Sequence, residues 1–255
     1  MAPANRTRMA LLITNVHFDK ENDRDGAEKD EEDMSKLLIS LGYNVERHRD
    51  LSGAMDEAVK RFSKDPRLAT TDSVFVVIMS HGVKGAIVGV HHCDGVPDQF
   101  PIDNIYKHLD TIRCPKLINK PKVIIIQACR GVQVDAALPP HLADEVDADI
   151  EEDAIHREHK EKDMVSLLSC TADTVSYRHS QKGSFLIQHL VEIFKHHAHE
   201  DHIDELFRKV LKRFEDEPPS ASVRQMAVRD RCTLTKHFYL FPRVLTTVNV
   251  INVFM

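Results

Sequence analysis

The sequence predicts an α/β fold in which a mostly parallel central sheet carries helices on both faces, and three observations lead there. Short β-branched runs alternate along the chain with segments of helical periodicity. Two of those runs, Val74-Phe75-Val76-Val77-Ile78-Met79 and Val123-Ile124-Ile125-Ile126, are uninterrupted apolar strands of the kind buried on both faces of a parallel sheet. Each then ends in polar chemistry, Ser80-His81-Gly82 after the first and Gln127-Ala128-Cys129-Arg130-Gly131 after the second. Ligands gather outside the carboxyl ends of such strands.

In chain order, Arg8 to Asn15 reads as a first strand, and the charged turn Asn22-Asp23-Arg24-Asp25-Gly26 follows it. Ala27 to Leu41 carries apolar residues at Met34, Leu37, Leu38 and Leu41, a helical stripe. Tyr43 to His48 is a short strand and Ser52 to Phe62 a second helix. The Val74 strand leads into a stretch with Gly85, Gly89 and Gly95, read as a hairpin, and Ile102 to Leu109 forms a third helix before the Val123 strand. Composition changes after Gly131. Val132 to Lys162 holds Pro139, Pro140 and the acidic run Asp144 to Asp153, and its lack of periodicity predicts an exposed linker. Met164 to Cys170 resumes a strand. Phe185 to Phe194 and Ile203 to Phe214 are amphipathic helices, Pro218-Pro219 stops the second, and Cys232 to Phe241 reads as a last strand. The chain shows no internal repeat, and residues 243–255 form an apolar tail without assignment.

Composition narrows the function classes. A length of 255 residues suffices for one substantial core. A formal charge of −6 gives no support to nucleic-acid binding. Met1-Ala2-Pro3-Ala4-Asn5-Arg6 lacks the apolar core of a signal peptide, and no run approaches the roughly 20 apolar residues of a membrane span. Five scattered cysteines suit a reducing compartment better than a disulfide framework. The expectation is a soluble, cytoplasmic protein that meets neither nucleic acid nor membrane.

The two strand ends would place His81 and Cys129, 48 positions apart, on one sheet edge. A thiolate is a strong nucleophile and an imidazole is the base that makes it. Alone, Cys129 reads as a packed core thiol. A phosphatase loop would want an arginine six positions after it, and position 135 is Asp.

A Gln-Ala-Cys-x-Gly segment with a histidine about 50 residues upstream is a known cue to the caspases, and the chain resembles that family from about Arg8 to Pro242. Val175-Ser176-Tyr177-Arg178-His179 and Phe238-Tyr239-Leu240-Phe241-Pro242 add to the likeness, in wording closest to the inflammatory, interleukin-converting branch. The resemblance implies a caspase-like three-layer sandwich with about six strands, formed by residues 1–255 as one protease domain. Residues 1–131 would be its large-subunit part, 132–163 a processing linker and 164–242 its small-subunit part. It implies a cysteine endopeptidase cutting after aspartate, with Cys129 as nucleophile, His81 handling the proton, and the backbone N–H groups of Cys129 and Gly82 stabilising the oxyanion. No acidic third member can be named from spacing.

By the same likeness, Arg24, Gln127 and Arg178 would hold the aspartate, a guanidinium fork being matched to a carboxylate. Taken singly, Arg24 and Arg178 read as solvated charges. Tyr177 would wall the subsite two residues before the cut, where the inflammatory branch commonly has tryptophan. Ser176 and Arg224 complete the expected substrate contacts, Arg224 on an alignment displaced by one residue. Asp135, Asp147, Asp149 and Asp153 each precede a small or apolar residue and are the expected processing sites. Cutting there would free the loop after the nucleophile, a strain-release switch.

Further implications are a homodimer of cleaved chains, protein substrates with an exposed Asp site in inflammatory cell death or apoptosis signalling, and an upstream caspase or inflammasome adaptor as partner. The chain begins almost directly at the protease domain, which suggests a fragment, an isoform or activation by another protease. No cofactor or metal is expected: His91-His92-Cys93-Asp94 and the histidines 196, 197, 199 and 202 lack paired ligand spacing. Two rival readings are a catalytically silent caspase-like regulator, disfavoured by the intact His81, Cys129 and Arg178, and a protease cutting after basic residues, which would need acidic groups at positions 24 and 178.

Overall fold

The computed structural model describes residues 7–93, 95–129, 159–171, 176–218 and 224–241. In chain order they form β1 (Thr7–Thr14), α1 (Ala27–Ser40), β2 (Asn44–Arg49), α2 (Met55–Lys64), β3 (Thr71–Met79), β4 (Gly82–Val83), β5 (Ala86–Val88), β6 (Gln99–Pro101), α3 (Ile102–Leu109), β7 (Lys122–Gln127), β8 (Met164–Leu168), β9 (Arg178–His179), β10 (Gly183–Ser184), α4 (Phe185–His197), α5 (Ile203–Asp216) and β11 (Val228–Asp230).

The central sheet has six strands in the order β11-β8-β7-β3-β1-β2. All of its pairings are parallel except β11 against β8. Successive side chains of a strand face opposite ways, and the sheet divides its residues accordingly. Ala10, Leu12, Phe75, Val77, Val123 and Ile125 face α1, α4 and α5 through Met34, Leu38, Leu190, Phe194, Phe207 and Val210. Met9, Leu11, Ile13, Val76, Ile124 and Ile126 face α2 and α3 through Met55, Val59, Phe62, Ile105 and Leu109. Each such buried aliphatic contributes about 2 kcal/mol of transfer free energy. The three-layer α/β sandwich with helices on both faces is therefore the observed fold.

The Gly-rich stretch is a hairpin of β4 and β5 joined by β6 into a small antiparallel sheet. Its turn is at Gly85, whose φ of 77° suits glycine. One expectation fails. Cys232–Phe241 is not a strand; the sixth strand is Val228–Asp230, which pairs with β8. Arg231 turns the chain at φ 44°. Thr233 N–H donates to Met164 O at 2.8 Å, the Phe238 carbonyl accepts from Ile203 N–H at 2.9 Å, and Leu240 is buried in the helix-side core. The β-branched and aromatic residues that suggested a strand are spent on packing over the end of α5 rather than on a ladder. Among the described residues no helix is long and apolar enough to cross a membrane. Asp135, Asp147, Asp149, Asp153 and the 243–255 tail lie outside the described residues.

Candidate active site

Four neighbouring parallel strands, β8, β7, β3 and β1, open their carboxyl ends on one edge, and their loops carry the candidate residues. Met79 stands in register with Gln127, and Ser80 N–H donates to Gln127 O at 3.1 Å. His81 and Cys129 thus leave adjacent strands side by side. Gly82 fits closely against the nucleophile loop: a Cβ there would overlap the Cys129 carbonyl oxygen and lie 2.8 Å from Ala128 Cβ.

His81 is half-buried, with its ring 4.6 Å from the Phe18 ring. Its Nε2 lies 2.7 Å from the Asn22 carbonyl. A carbonyl only accepts, so Nε2 carries the proton and Nδ1 is the free basic nitrogen. Burial, then the charges of Arg24 and Arg178, hold the imidazole pKa below its ordinary value. The orienting third group that spacing could not supply is a backbone carbonyl. Cys129 is half-buried, and its thiol points at Ser176 O, 3.7 Å away.

Arg24 is 1% exposed. Its Nη1 donates to Asn15 O at 2.8 Å, while Nε and Nη2 are buried and have no hydrogen-bond partner. Burial first, then the Arg178 charge, lower its pKa to about 10. The sequence reading of Arg24 as a solvated charge is thus replaced by a cation with two unused donors, at odds with the general pairing of buried polar groups. Gln127 is buried with its Oε1 also unpartnered. Arg178 is half-buried, with Nε donating to Asp25 O at 2.7 Å. Gly26, at φ 83°, lets the two arginine loops meet, since a Cβ there would come within 2.7 Å of the His179 and Ser180 carbonyls. A guanidinium with two unused donors can bind a carboxylate bidentately.

The Ser169–Gln225 side of the site is pinned by hydroxyls. Ser169 Oγ donates to Ala128 O at 2.8 Å and accepts from Ala128 N–H at 3.2 Å; Ser176 Oγ is 2.5 Å from Ser169 Oγ and 3.2 Å from Ala128 O. Tyr177 N–H donates to Gln225 Oε1 at 2.8 Å, and Gln225 Nε2 donates to Ser169 O at 2.7 Å. Arg224, next along, is exposed. Gln225 and the fully buried Asn15 were missed by sequence reasoning. Asn15 donates to Leu51 O and accepts from Leu51 N–H, tying the Arg24 loop's root to the next strand connection. Neither polar residue has a pattern signal, because each acts on backbone brought near by the fold.

The histidine clusters have other uses. His91 Nδ1 is 2.7 Å from Asp19, and His92 Nδ1 accepts from Asp98 N–H at 3.1 Å. His197, Glu200 and Asp201 bring ligand atoms within 4.8 Å of one another, and the Lys209 ammonium already sits there, 2.6 Å from Asp201 and 3.1 Å from His197.

With this geometry in place, the comparisons are specific. The family model for the caspase domain matches residues 7–239. "Caspase a" of Danio rerio is 51% identical over 241 residues, covering 93% of this chain and 62% of the relative. "Caspase-1" of Mus musculus is 41% identical over 252 residues, covering 95% and 61%, and "Caspase b" of Danio rerio is 41% identical over 244 residues, covering 93% and 57%. The chain spans about three fifths of the length of these curated relatives.

Proposed function

This chain belongs to the caspase family, and on that premise we propose that it is a cysteine endopeptidase cutting after aspartate. The observation that carries the reading is Arg24, a buried guanidinium with two unused donors, close enough to Arg178 to feel its charge. A buried cation of this kind is costly in the free protein and is relieved by an incoming carboxylate.

The reaction follows from the donors at hand. The neutral His81 ring takes the Cys129 proton at Nδ1 while Asn22 O holds Nε2–H, and the thiolate adds to the scissile carbonyl carbon. The backbone N–H groups of Cys129 and Gly82 receive the oxyanion. The tetrahedral species collapses to a thioester as the peptide C–N bond breaks, and His81 passes its proton to the leaving amine. Water, deprotonated by His81, then splits the thioester, releasing the aspartyl carboxylic acid and restoring the thiol. Tyr177 and Ser176 line the strand-binding side, and Arg224 contributes a rim contact.

The protein acts as a zymogen cut at one or more of Asp135, Asp147, Asp149 and Asp153. It works as a homodimer of cleaved chains in the cytoplasm, on protein substrates with an exposed Asp site in inflammatory cell death. An upstream caspase or an inflammasome adaptor starts it. The dimer reading rests on β11, the edge strand of the central sheet, whose outer backbone groups face no described strand and could pair with a second copy. Hydrolysis of fluorogenic tetrapeptides ending in Asp, Glu, Asn or Arg, by wild type and Cys129→Ala, tests the reading. Turnover confined to Asp peptides and lost in the mutant is expected; absent turnover after the linker has been cut by another protease would sink it.

A further inference from the structure

The two arginine loops converge on a third charged group that no part of the sequence reading singled out. Asp30 lies in the first turn of α1 and is 1% exposed. Its Oδ1 accepts from Ser184 N–H at 2.7 Å and its Oδ2 from Ser184 Oγ–H at 2.6 Å. Ser184 is the cross-strand partner of Arg178 in the β9–β10 pair. Asp30 N–H in turn bonds Gly26 O, two residues from Arg24. Position 183 has room for glycine alone, because a Cβ there would overlap Asp30 Oδ1. The carboxylate is therefore built into the joint between the Arg24 loop and the Arg178 hairpin.

We propose that Asp30 is a positioning residue of the substrate pocket, a buried counter-charge that holds the two arginine loops together and leaves the pocket one net positive charge, matched to a single carboxylate. This rests on the reading of Arg24, Gln127 and Arg178 as the aspartate site. Burial raises the Asp30 carboxyl pKa, opposed by its two Ser184 hydrogen bonds and then by Arg24 and Arg178, and the Asp30 charge in turn favours the charged forms of both guanidiniums against the burial that lowers them. Of the other acidic groups acting on this pair, Cys129 is the proposed nucleophile, and Asp25 and Glu28 are exposed, so water and salt screen them. The buried Arg24 and the half-buried Arg178 are two positive charges set against the one of Asp30, and a substrate aspartate brings the three to neutrality. Without Asp30 the pocket would hold two uncompensated cations and would collect small multivalent anions.

The test uses the linker-cleaved protein at pH 7.5 and constant ionic strength, with sulfate as the probe. Sulfate inhibition competitive with an Asp peptide is measured for wild type, Asp30→Asn and Ser184→Ala. Removing one buried charge is expected to tighten the sulfate inhibition constant by at least about tenfold in Asp30→Asn, and to raise the preference for Asp over Asn peptides. Ser184→Ala keeps the charge and loses one hydrogen bond, so its sulfate constant is expected to match wild type while its melting temperature falls. A purely structural Asp30 would give the opposite pattern in Asp30→Asn, with peptide and sulfate binding both weakened or sulfate binding unchanged, and either result overturns the proposal. Equal tightening in Ser184→Ala would also overturn it. If Asp30→Asn alone does not fold, Asp30→Asn/Ser184→Ala removes both partners of the buried bond together and is read in the same way. The rise of melting temperature with sulfate needs no turnover. An inactive wild type whose Asp30→Asn variant still shows the larger rise would sink the protease reading and leave this one standing.

Discussion

Arg24→Met separates what a residue does for the fold from what it does for the site. The guanidinium is buried at 1% exposure, and that burial lowers its pKa to about 10. That depression is a folding cost of about 3 kcal/mol. Below about pH 10 the group is charged in both the folded and the unfolded chain, so the cost is fully present at neutral pH and fades only as pH climbs through 10 towards the ordinary guanidinium range. Methionine fills a similar volume and removes the cost. It also strands the Asn15 carbonyl, which loses its bond from Nη1, at about 1–2 kcal/mol. The balance is a variant about 1–2 kcal/mol more stable than wild type, a rise of about 2–8 °C in melting temperature. The same change deletes one of the two cations proposed to hold the substrate carboxylate, and kcat/KM on Asp peptides is expected to fall about 1000-fold, the scale of breaking a buried charge pair. Urea unfolding by circular dichroism and peptide hydrolysis on the same preparation give both readouts. A variant less stable than wild type by more than about 2 kcal/mol would show that Arg24 is held for the fold, and the argument from its unused donors would fail.

Three further outcomes follow from the geometry. Gly82→Ala forces a methyl against the Cys129 carbonyl and Ala128, so about 1–3 kcal/mol of stability and about 100-fold in kcat/KM are expected to be lost together; a fully active variant would mean Gly82 does not abut the nucleophile loop. Burial and two arginines disfavour the His81 imidazolium, so the acid limb of kcat/KM is expected to have its midpoint below pH 6.5, and a midpoint above that value contradicts the assignment. Lys122, fully buried and donating to the Leu117 and Lys120 carbonyls, has its pKa lowered to about 8. Its cost is present below pH 8 and is lost as pH rises to 10.5, so the stability advantage of Lys122→Met over wild type is expected to shrink by about 3 kcal/mol between pH 7 and 10.5 in urea titrations; a constant difference rules this out.

The parts of this protein that were legible in its sequence are those written in local pattern. The runs at Val74 and Val123 announce strands buried on both faces, and the segments that follow them, Ser80-His81-Gly82 and Ala128-Cys129, lie at the sheet edge that holds the candidate site. Helices α1, α4 and α5 declared themselves by their apolar stripes. What escaped was set by tertiary context. The Val228–Asp230 strand reads as polar because it is a short edge, whereas the β-branched Cys232–Phe241 segment looks like a strand and packs as irregular chain. The Asn22 carbonyl that orients His81 belongs to a backbone and has no residue signature. Asp30 was given no role by the sequence, and Arg24, a solvated charge when taken singly, was named for the aspartate site by the family resemblance alone; their burial is a product of the fold.

The central claim, that Cys129 is a nucleophile addressed by an aspartate held on Arg24 and Arg178, is tested most directly by covalent capture. Linker-cleaved protein would be treated with a peptidyl chloromethyl ketone ending in Asp and, separately, with one ending in Asn, and each of the five cysteines read by peptide mass spectrometry. The account predicts one adduct, on Cys129, formed by the Asp probe and lost in Arg24→Met. Equal labelling by the Asn probe, or an adduct on Cys93 or Cys232 in place of Cys129, would contradict it.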